Sequence, residues 1–340
     1  MKTFIFIGMT LVVLLLQFYV APQLGQHLYF TYSFDTKLAE PDEKITFLGR
    51  LINTWTFPIT YINLGEAMPE GAAIEGKKKN IISFSLFLLM HKSFRHTVLF
   101  SLPKRGVYKG GKYYIETGDY LGFKSYVSSG QIEAEIVVMP KLSDDEIVLK
   151  ILGGYLGEIS VKRFIMEDPM LSIGYFDYTG REPMKKISWN HSAKVGKLMV
   201  KRSDYTVDAN AAVVLNMASG SNEEKEKSFE IVRTVCEGLE REHIPYQFLS
   251  NGDAGNLEEG YGKIHLNQLM TNLGRSKLYG YSTLDDLIER CISERKRSRS
   301  YFVISAPMSA EDKKALIRLQ KYSDYKICVL EAEVNQDAVC

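Results

Sequence analysis

Few residues in this sequence stand at spacings that could do chemistry. His191 and Ser192 are adjacent, a base beside a hydroxyl, in a stretch that alternates like a β-strand: Ile187 and Trp189 interleave with Lys186, Ser188 and Asn190. Neighbouring strand residues face opposite ways, so the imidazole could not readily reach the Ser192 hydroxyl, and the pair reads as non-catalytic. Hydrolysis in a crevice would need another cluster of ionisable groups, such as Glu182, His191 and Asp204, to meet in one pocket. The four cysteines, Cys236, Cys291, Cys328 and Cys340, have no C-x-x-C spacing and no paired histidines, so they read as core or tail thiols and not as zinc ligands. Gly252–Gly262 carries neither a phosphate-loop lysine motif nor G-x-G-x-x-G. These residues assign no catalytic group, no metal and no cofactor.

The elements that must carry such groups divide the chain. At 340 residues it exceeds one ordinary domain. Forty-two basic against 41 acidic residues leave no global field for nucleic acid, so nucleic acid is excluded as a bulk partner and any electrostatic steering is local. Thr3–Val20 is uncharged and about the minimum length for a bilayer, with no small-x-small cleavage pattern after it, so residues 3–20 are expected to be an uncleaved single-pass anchor in the cell membrane. Lys2 alone does not fix which side the body occupies.

Residues 27–140 are expected to form an antiparallel β-sandwich, from runs such as HLYFTYSF, KITFLGRLIN, NIISFSLFLL and EAEIVVM. Pro58 inside NTWTFPITYI predicts an edge strand or a bulge there, and Lys77, Lys78 and Lys79 a solvated hairpin tip. Residues 141–174 read as a surface linker, with a short helix over Leu142–Ile151 that Gly153, Gly154 and Gly157 end.

Residues 202–332 alternate strand and helix in a doubly wound α/β pattern, and 333–340 form a tail. Ala211–Met217 is a buried parallel strand, and Ser221 with Glu224 caps a helix with Phe229, Val232, Val235, Cys236 and Leu239 on one face. Strands follow at Pro245–Leu249, Ser300–Ser305 and Lys326–Ala332, with helices near His265–Asn272, over Leu284–Ser298 and after the Ser309/Asp312 cap. Arg295, Lys296, Arg297 and Arg299 are expected to complement the dipole of the helix they close. The fold class is therefore α+β and multidomain.

Tyr175–Lys201, YFDYTGREPMKKISWNHSAKVGKLMVK, joins the halves and is the densest stretch in aromatic, turn and charged residues. Its alternation predicts two short strands with Trp189 packed inward, ringed by Glu182, Lys185, Lys186 and Lys194, a lock between domains or a partner-docking surface. With Arg105-Gly106-Val107-Tyr108 and Gly118-Asp119-Tyr120-Leu121-Gly122-Phe123 ahead of it, this stretch resembles the domain of unknown function 58 (DUF 58) family. Tyr178, Glu182, Lys185, Ile187, Trp189, Ser192 and Lys194 fall in the order of that family's signature. Arg181-Glu182 stands where Gly-Asp is usual, and Lys185 and Lys194 stand for arginines, which replaces planar forks by point charges.

The second half is similar to a von Willebrand factor A domain, whose metal-binding version carries Asp-x-Ser-x-Ser at the end of the first strand. Here Asn216, Ala218 and Gly220 hold those positions, which removes the carboxylate and hydroxyls a hard cation would use. The resemblance implies a non-enzymatic interaction or scaffold protein that aids assembly or maturation of other proteins with a MoxR-type AAA+ ATPase. A second reading is a hydrolase or ligand-binding enzyme with an interdomain crevice, and a third a cation-dependent adhesion domain.

Overall fold

The computed structural model describes residues 2–15, 17, 21–74, 80–165, 172–180, 182–203 and 210–332. It forms two compact units, Met1–Lys141 with Leu273–Arg275, and Leu142–Asn272 with Ser276–Cys340. The chain is a mixed α/β protein with a sheet-rich N-terminal region.

The expected membrane anchor is overturned: among the described residues no helix is long and apolar enough to cross a membrane. Helix α1 (Lys2–Leu15) has only 14 residues. At 1.5 Å per residue it reaches ~21 Å, short of the ~30 Å hydrocarbon core. Its apolar side chains are exposed. Beyond it the buried Gln17 amide donates to the Asp119 carboxylate, and a 3-10 helix, Ala21–His27, packs on the first unit.

Among the described residues that unit carries eleven strands: β1 (Leu28–Phe34), β2 (Leu38–Ala39), β3 (Ile45–Asn53), β4 (Ile59–Ala67), β5 (Ala73–Ile74), β6 (Ile81–Leu88), β7 (Ser93–Ser101), β8 (Gly106–Lys109), β9 (Lys112–Gly118), β10 (Ser125–Gln131) and β11 (Glu135–Val138). They form sheets in the orders β1-β3-β7-β5, β10-β9-β4-β6 and β2-β11-β8. Alternating residues of β3, Ile45, Phe47 and Leu51, are buried. Phe47 and Val98 of the first sheet share an apolar cluster with Ile82 of the second and Ile136 of the third, and Leu51 joins Ile62, Leu64 and Ile115. Each such side chain stabilises the fold by about 1.5–3 kcal/mol. Pro58 immediately precedes β4, which is an interior strand and not an edge, and the register shift between Ile59 and Ile62 is the bulge. The lysines at 77–79 lie outside the described residues.

The second unit opens with α2 (Glu146–Ile165), which runs straight through Gly153, Gly154 and Gly157 where a linker is expected. Each glycine costs a helix about 1 kcal/mol, but Val148, Leu152 and Ile159 bury one stripe and Tyr155 stacks edge-on against Phe302, so packing outweighs propensity. A small module follows: β12 (Ser172–Asp177), a 3-10 turn at Met184–Lys186, α3 (Trp189–Val195) and β13 (Met199–Ser203), with β12 antiparallel to β13.

The remaining elements are β14 (Asn210–Asn216), α4 (Asn222–Arg241), β15 (Tyr246–Ser250), β16 (Leu257–Gly260), α5 (Lys263–Arg275), α6 (Leu284–Ser293), β17 (Arg299–Ser305), α7 (Ala310–Tyr322) and β18 (Cys328–Glu331). Their sheet has the order β16-β15-β14-β17-β18 and is parallel except at β16. Successive strands run one way from β14 to β16 and then the other way to β17 and β18, which makes the carboxyl end of β14 the topological switch point. Cys236, Cys291 and Cys328 are buried thiols. Burial pushes Cys291 up to about 12 and Cys328 up to about 11, so neither is a nucleophile at neutral pH.

Candidate functional site

At the switch point the strand ends are tied together by amides. Asn216, 1% exposed, donates from Nδ2 to Ser305 Oγ at 3.0 Å, at the end of β17. Its Oδ1 accepts from Asn251 Nδ2 at 2.8 Å and from the Ala218 N–H at 3.1 Å. Asn251, just past β15, accepts the Met217 N–H at 2.7 Å and donates to the Ser282 carbonyl at 2.8 Å. Every polar atom of the Asn216 amide that could face a cation is thus engaged by its neighbours. Among the described residues no group of three or more His, Cys, Asp or Glu side chains is placed to hold a metal.

Gly220 shows why the metal motif does not fit this backbone. It adopts φ +94°, and a Cβ there would lie 2.3 Å from Cβ of Ala306. A serine at this position is therefore both strained and crowded. The combined change Asn216→Asp, Ala218→Ser, Gly220→Ser is expected to lower stability by about 2–4 kcal/mol without creating a cation site. Thermal melts with and without magnesium check this, and a midpoint that recovers only with magnesium would contradict it.

Above the amide floor lies a crevice of about 760 Å³, lined by Ala218, Ser219, Thr283, Ser309, Lys314 and Arg318 among others. Capping boxes fix its walls: Ser221 opens α4, Thr283 opens α6 and Ser309 opens α7, each accepting the third N–H of its helix. Hydrogen bonds from the Thr283 hydroxyl and N–H hold the Asp286 carboxyl below the usual carboxylate range. Arg318 pairs with Asp285 across α6 and α7. Ser219 takes no part in the cap of α4: its Oγ is buried without a partner among the described residues. The sequence reading missed Asn251, Ser305 and the Thr283 cap. Thr283-x-x-Asp286 is itself a capping pattern, while Asn251 and Ser305 were marked only by ending apolar strands.

The signature stretch is built differently from the expectation of two strands. Ile187 makes only an isolated bridge with Val200, and Trp189 opens α3, 61% exposed instead of packed inward. The buried residue of α3 is Ser192, whose Oγ donates to the Ser188 carbonyl at 2.8 Å and accepts the Met199 N–H at 2.8 Å. A hydroxyl engaged on both sides fastens α3 to β13. Trp189, one turn before Ser192, stands at the first position of α3 and remains exposed. His191 stacks on Tyr175, ring centroids 3.9 Å apart. Glu182 accepts from the Thr179 hydroxyl at 2.8 Å and the Thr179 N–H at 3.1 Å, closing the turn after β12. The N–H of Tyr178 donates to the Leu198 carbonyl, while Lys185 and Lys194 are exposed. Asp204, the third group of the hydrolase reading, lies outside the described residues, as do Arg181 and Cys340.

The two upstream motif pieces are structural. Asp119 accepts the N–H groups of Phe123 at 2.8 Å and Lys124 at 2.9 Å and so shapes the turn between β9 and β10. Tyr108 donates its hydroxyl to the Lys104 carbonyl at 2.8 Å.

No protein-family profile matches the chain, and no curated protein matches it. Among solved structures it is similar to Escherichia coli alpha-2-macroglobulin from domain MG7 to the C-terminus, at 8% identity and a TM-score of 0.28 over 34% of this chain and 24% of that one. The chain thus spans about a quarter of that structure's length. A CARDB domain from Pyrococcus furiosus matches at 9% identity and a TM-score of 0.21, over 33% of this chain and 94% of the domain. The cupredoxin domain of amoB from Nitrosocaldus yellowstonii matches at 8% and 0.22, over 33% of this chain and 87% of the domain. None of the three is named as a member of the family that the sequence resembles, and similarity at these scores assigns no family.

Proposed function

We propose that this chain is a non-enzymatic protein-interaction or scaffold protein of the DUF 58 kind, a β-sandwich followed by a von Willebrand A-like domain, acting with a MoxR-type AAA+ ATPase in the assembly or maturation of other proteins. The observation that carries the non-catalytic part is the amide floor. At the place where doubly wound sheets hold their ligands, Asn216, Asn251 and Ser305 spend their polar atoms on one another. A nucleophile or an activated water needs a free base there, and this arrangement supplies a rigid neutral base plate instead. The crevice above it offers hydroxyls, the carboxylates of Asp285, Glu311 and Asp312, of which Asp285 pairs with Arg318 and Asp312 caps α7, and Lys314, groups suited to recognising a polypeptide surface. The ATPase enters through the sequence resemblance alone.

The test is capture of a purified MoxR-type ATPase by the purified full chain, with Lys314→Glu plus Arg318→Glu as the variant. Capture that the variant loses is expected. Turnover of ester or peptide substrates by the wild-type chain, abolished by crevice substitutions, would replace this reading with the hydrolase.

A further inference from the structure

We infer that the module between Ser172 and Ser203 is a docking surface for an acidic segment of a partner protein that also carries an apolar side chain. This rests on the interaction reading above and names the chemistry of the partner. The module hides little of its apolar content: Phe176, Met184, Trp189, Val195 and Leu198 are all exposed, with Met184 at 68% and Trp189 at 61%. Ile187, Met199 and Val200 are buried, and Ser192 fastens α3 to β13. Exposed large side chains of this density mark a contact surface.

The charge around them has one dominant sign. Lys185, Lys186, Lys194 and Lys197 are exposed and surround the apolar residues in sequence, while of the acids Asp177 and Glu182 the second is held by Thr179. The whole chain is only +1, so this is a local field and not a share of a general one. Lysine ammonium groups around an exposed indole, methionine and leucine complement a segment that offers carboxylates outside and an apolar anchor at its centre.

The apolar groups separate this partner from other polyanions. Single-stranded nucleic acid stacks its bases on aromatic platforms, and of the five exposed apolar residues only Phe176 and Trp189 offer a ring; Met184, Val195 and Leu198 fit an aliphatic anchor instead. Interfacial binding to anionic lipid uses a long amphipathic helix, and α3 has seven residues.

The chain has two tryptophans, and Trp55 stacks on His27 in the first unit, so a Trp55→Phe variant of the full chain reports Trp189 alone. Titration with a synthetic peptide rich in aspartate, glutamate and leucine is expected to shift Trp189 emission to the blue, more weakly as salt rises. Lys185→Glu with Lys194→Glu is expected to weaken binding about tenfold or more. If Trp55→Phe does not fold, the difference between wild type and Trp189→Phe isolates the same signal. An equal response to a neutral leucine peptide, no response to the acidic one, unchanged binding by the lysine variants, or a response only to polyuridine RNA or to phosphatidylserine vesicles would each overturn the inference. ATPase capture that survives the lysine changes would leave the scaffold reading standing and remove this surface. Acidic-peptide binding without ATPase capture would do the reverse.

Discussion

Arg299→Ala is expected to destabilise the α/β unit by about 3–5 kcal/mol, the cost of removing one partner from a buried ionic network. Arg299 begins β17 and is 2% exposed. Its Nη1 donates to Gln247 Oε1 at 2.5 Å and to Glu294 Oε2 at 3.1 Å, and its Nη2 to Glu259 Oε2 at 2.9 Å. One planar fork thus ties β15, the end of α6 and the antiparallel β16 to the first residue of β17, which a lysine point charge could not do. Alanine would remove the Arg299 donor from Oε1 of Gln247, whose amide nitrogen still reaches Glu294, and leave Glu259 paired with Lys296 among the described residues.

The network also has a pH signature. Burial pushes Glu259 up, but Lys296 and Arg299 together outweigh it and hold the carboxyl below its usual range. A depressed folded-state value contributes stability above the unfolded-state value and loses it as pH falls through the folded one. The wild type should therefore lose stability in acid more steeply than Arg299→Ala. Urea unfolding of both proteins across the acid range checks it, and a loss under about 1 kcal/mol at neutral pH would show the fork to be idle.

Arg299 also marks how far sequence reasoning reaches. In the sequence it closes a run of basic residues, and a helix-end dipole accounts for such a run. What distinguishes it from Arg295 and Arg297 is that β17 starts one residue before the expected Ser300, which turns a surface cation into a buried one. The doubly wound order and the α4 and α7 caps were legible because apolar runs and Ser-x-x-acid patterns are local. The continuation of α2 through three glycines was not, because its stabilisation comes from Phe302 and other distant residues. Trp189 was misassigned for a related reason. A short amphipathic segment alternates acceptably as strand or helix, and the Ser192–Met199 hydrogen bond that selects the helix joins residues seven apart. For the candidate site, Asn216, Ala218 and Gly220 were legible as lost ligands, whereas Asn251 and Ser305 became its partners only when parallel strands brought their ends together.

Glu66 and His96 predict a different pattern, in which two harmful substitutions cancel. Glu66 lies on β4 in one sheet and His96 on β7 in another, and Oε2 of the first meets Nε2 of the second at 2.8 Å with both side chains buried. Phe84 and Phe94 flank the imidazole at 4.4 and 5.5 Å between ring centroids. His96 also fills the space over Gly49, where a Cβ would lie 2.2 Å from its ring, so no other residue fits opposite it without displacement. The pair crosses from sheet to sheet among aromatic rings, and Glu66 Oε1 and His96 Nδ1 have no partner among the described residues.

Two half-satisfied polar groups in an aromatic surround stabilise weakly as a pair and strongly disfavour being separated. Glu66→Leu and His96→Leu are each expected to cost about 3–5 kcal/mol, since each leaves the other group buried and alone. The double change replaces both by apolar side chains and is expected to return to within about 1 kcal/mol of wild type. Denaturant midpoints of the four proteins give the coupling directly. Additive losses in the double variant would mean that the two side chains act independently and overturn the expected coupling; cancellation would mean that the role of the pair is to fix which residues face each other across the sheets.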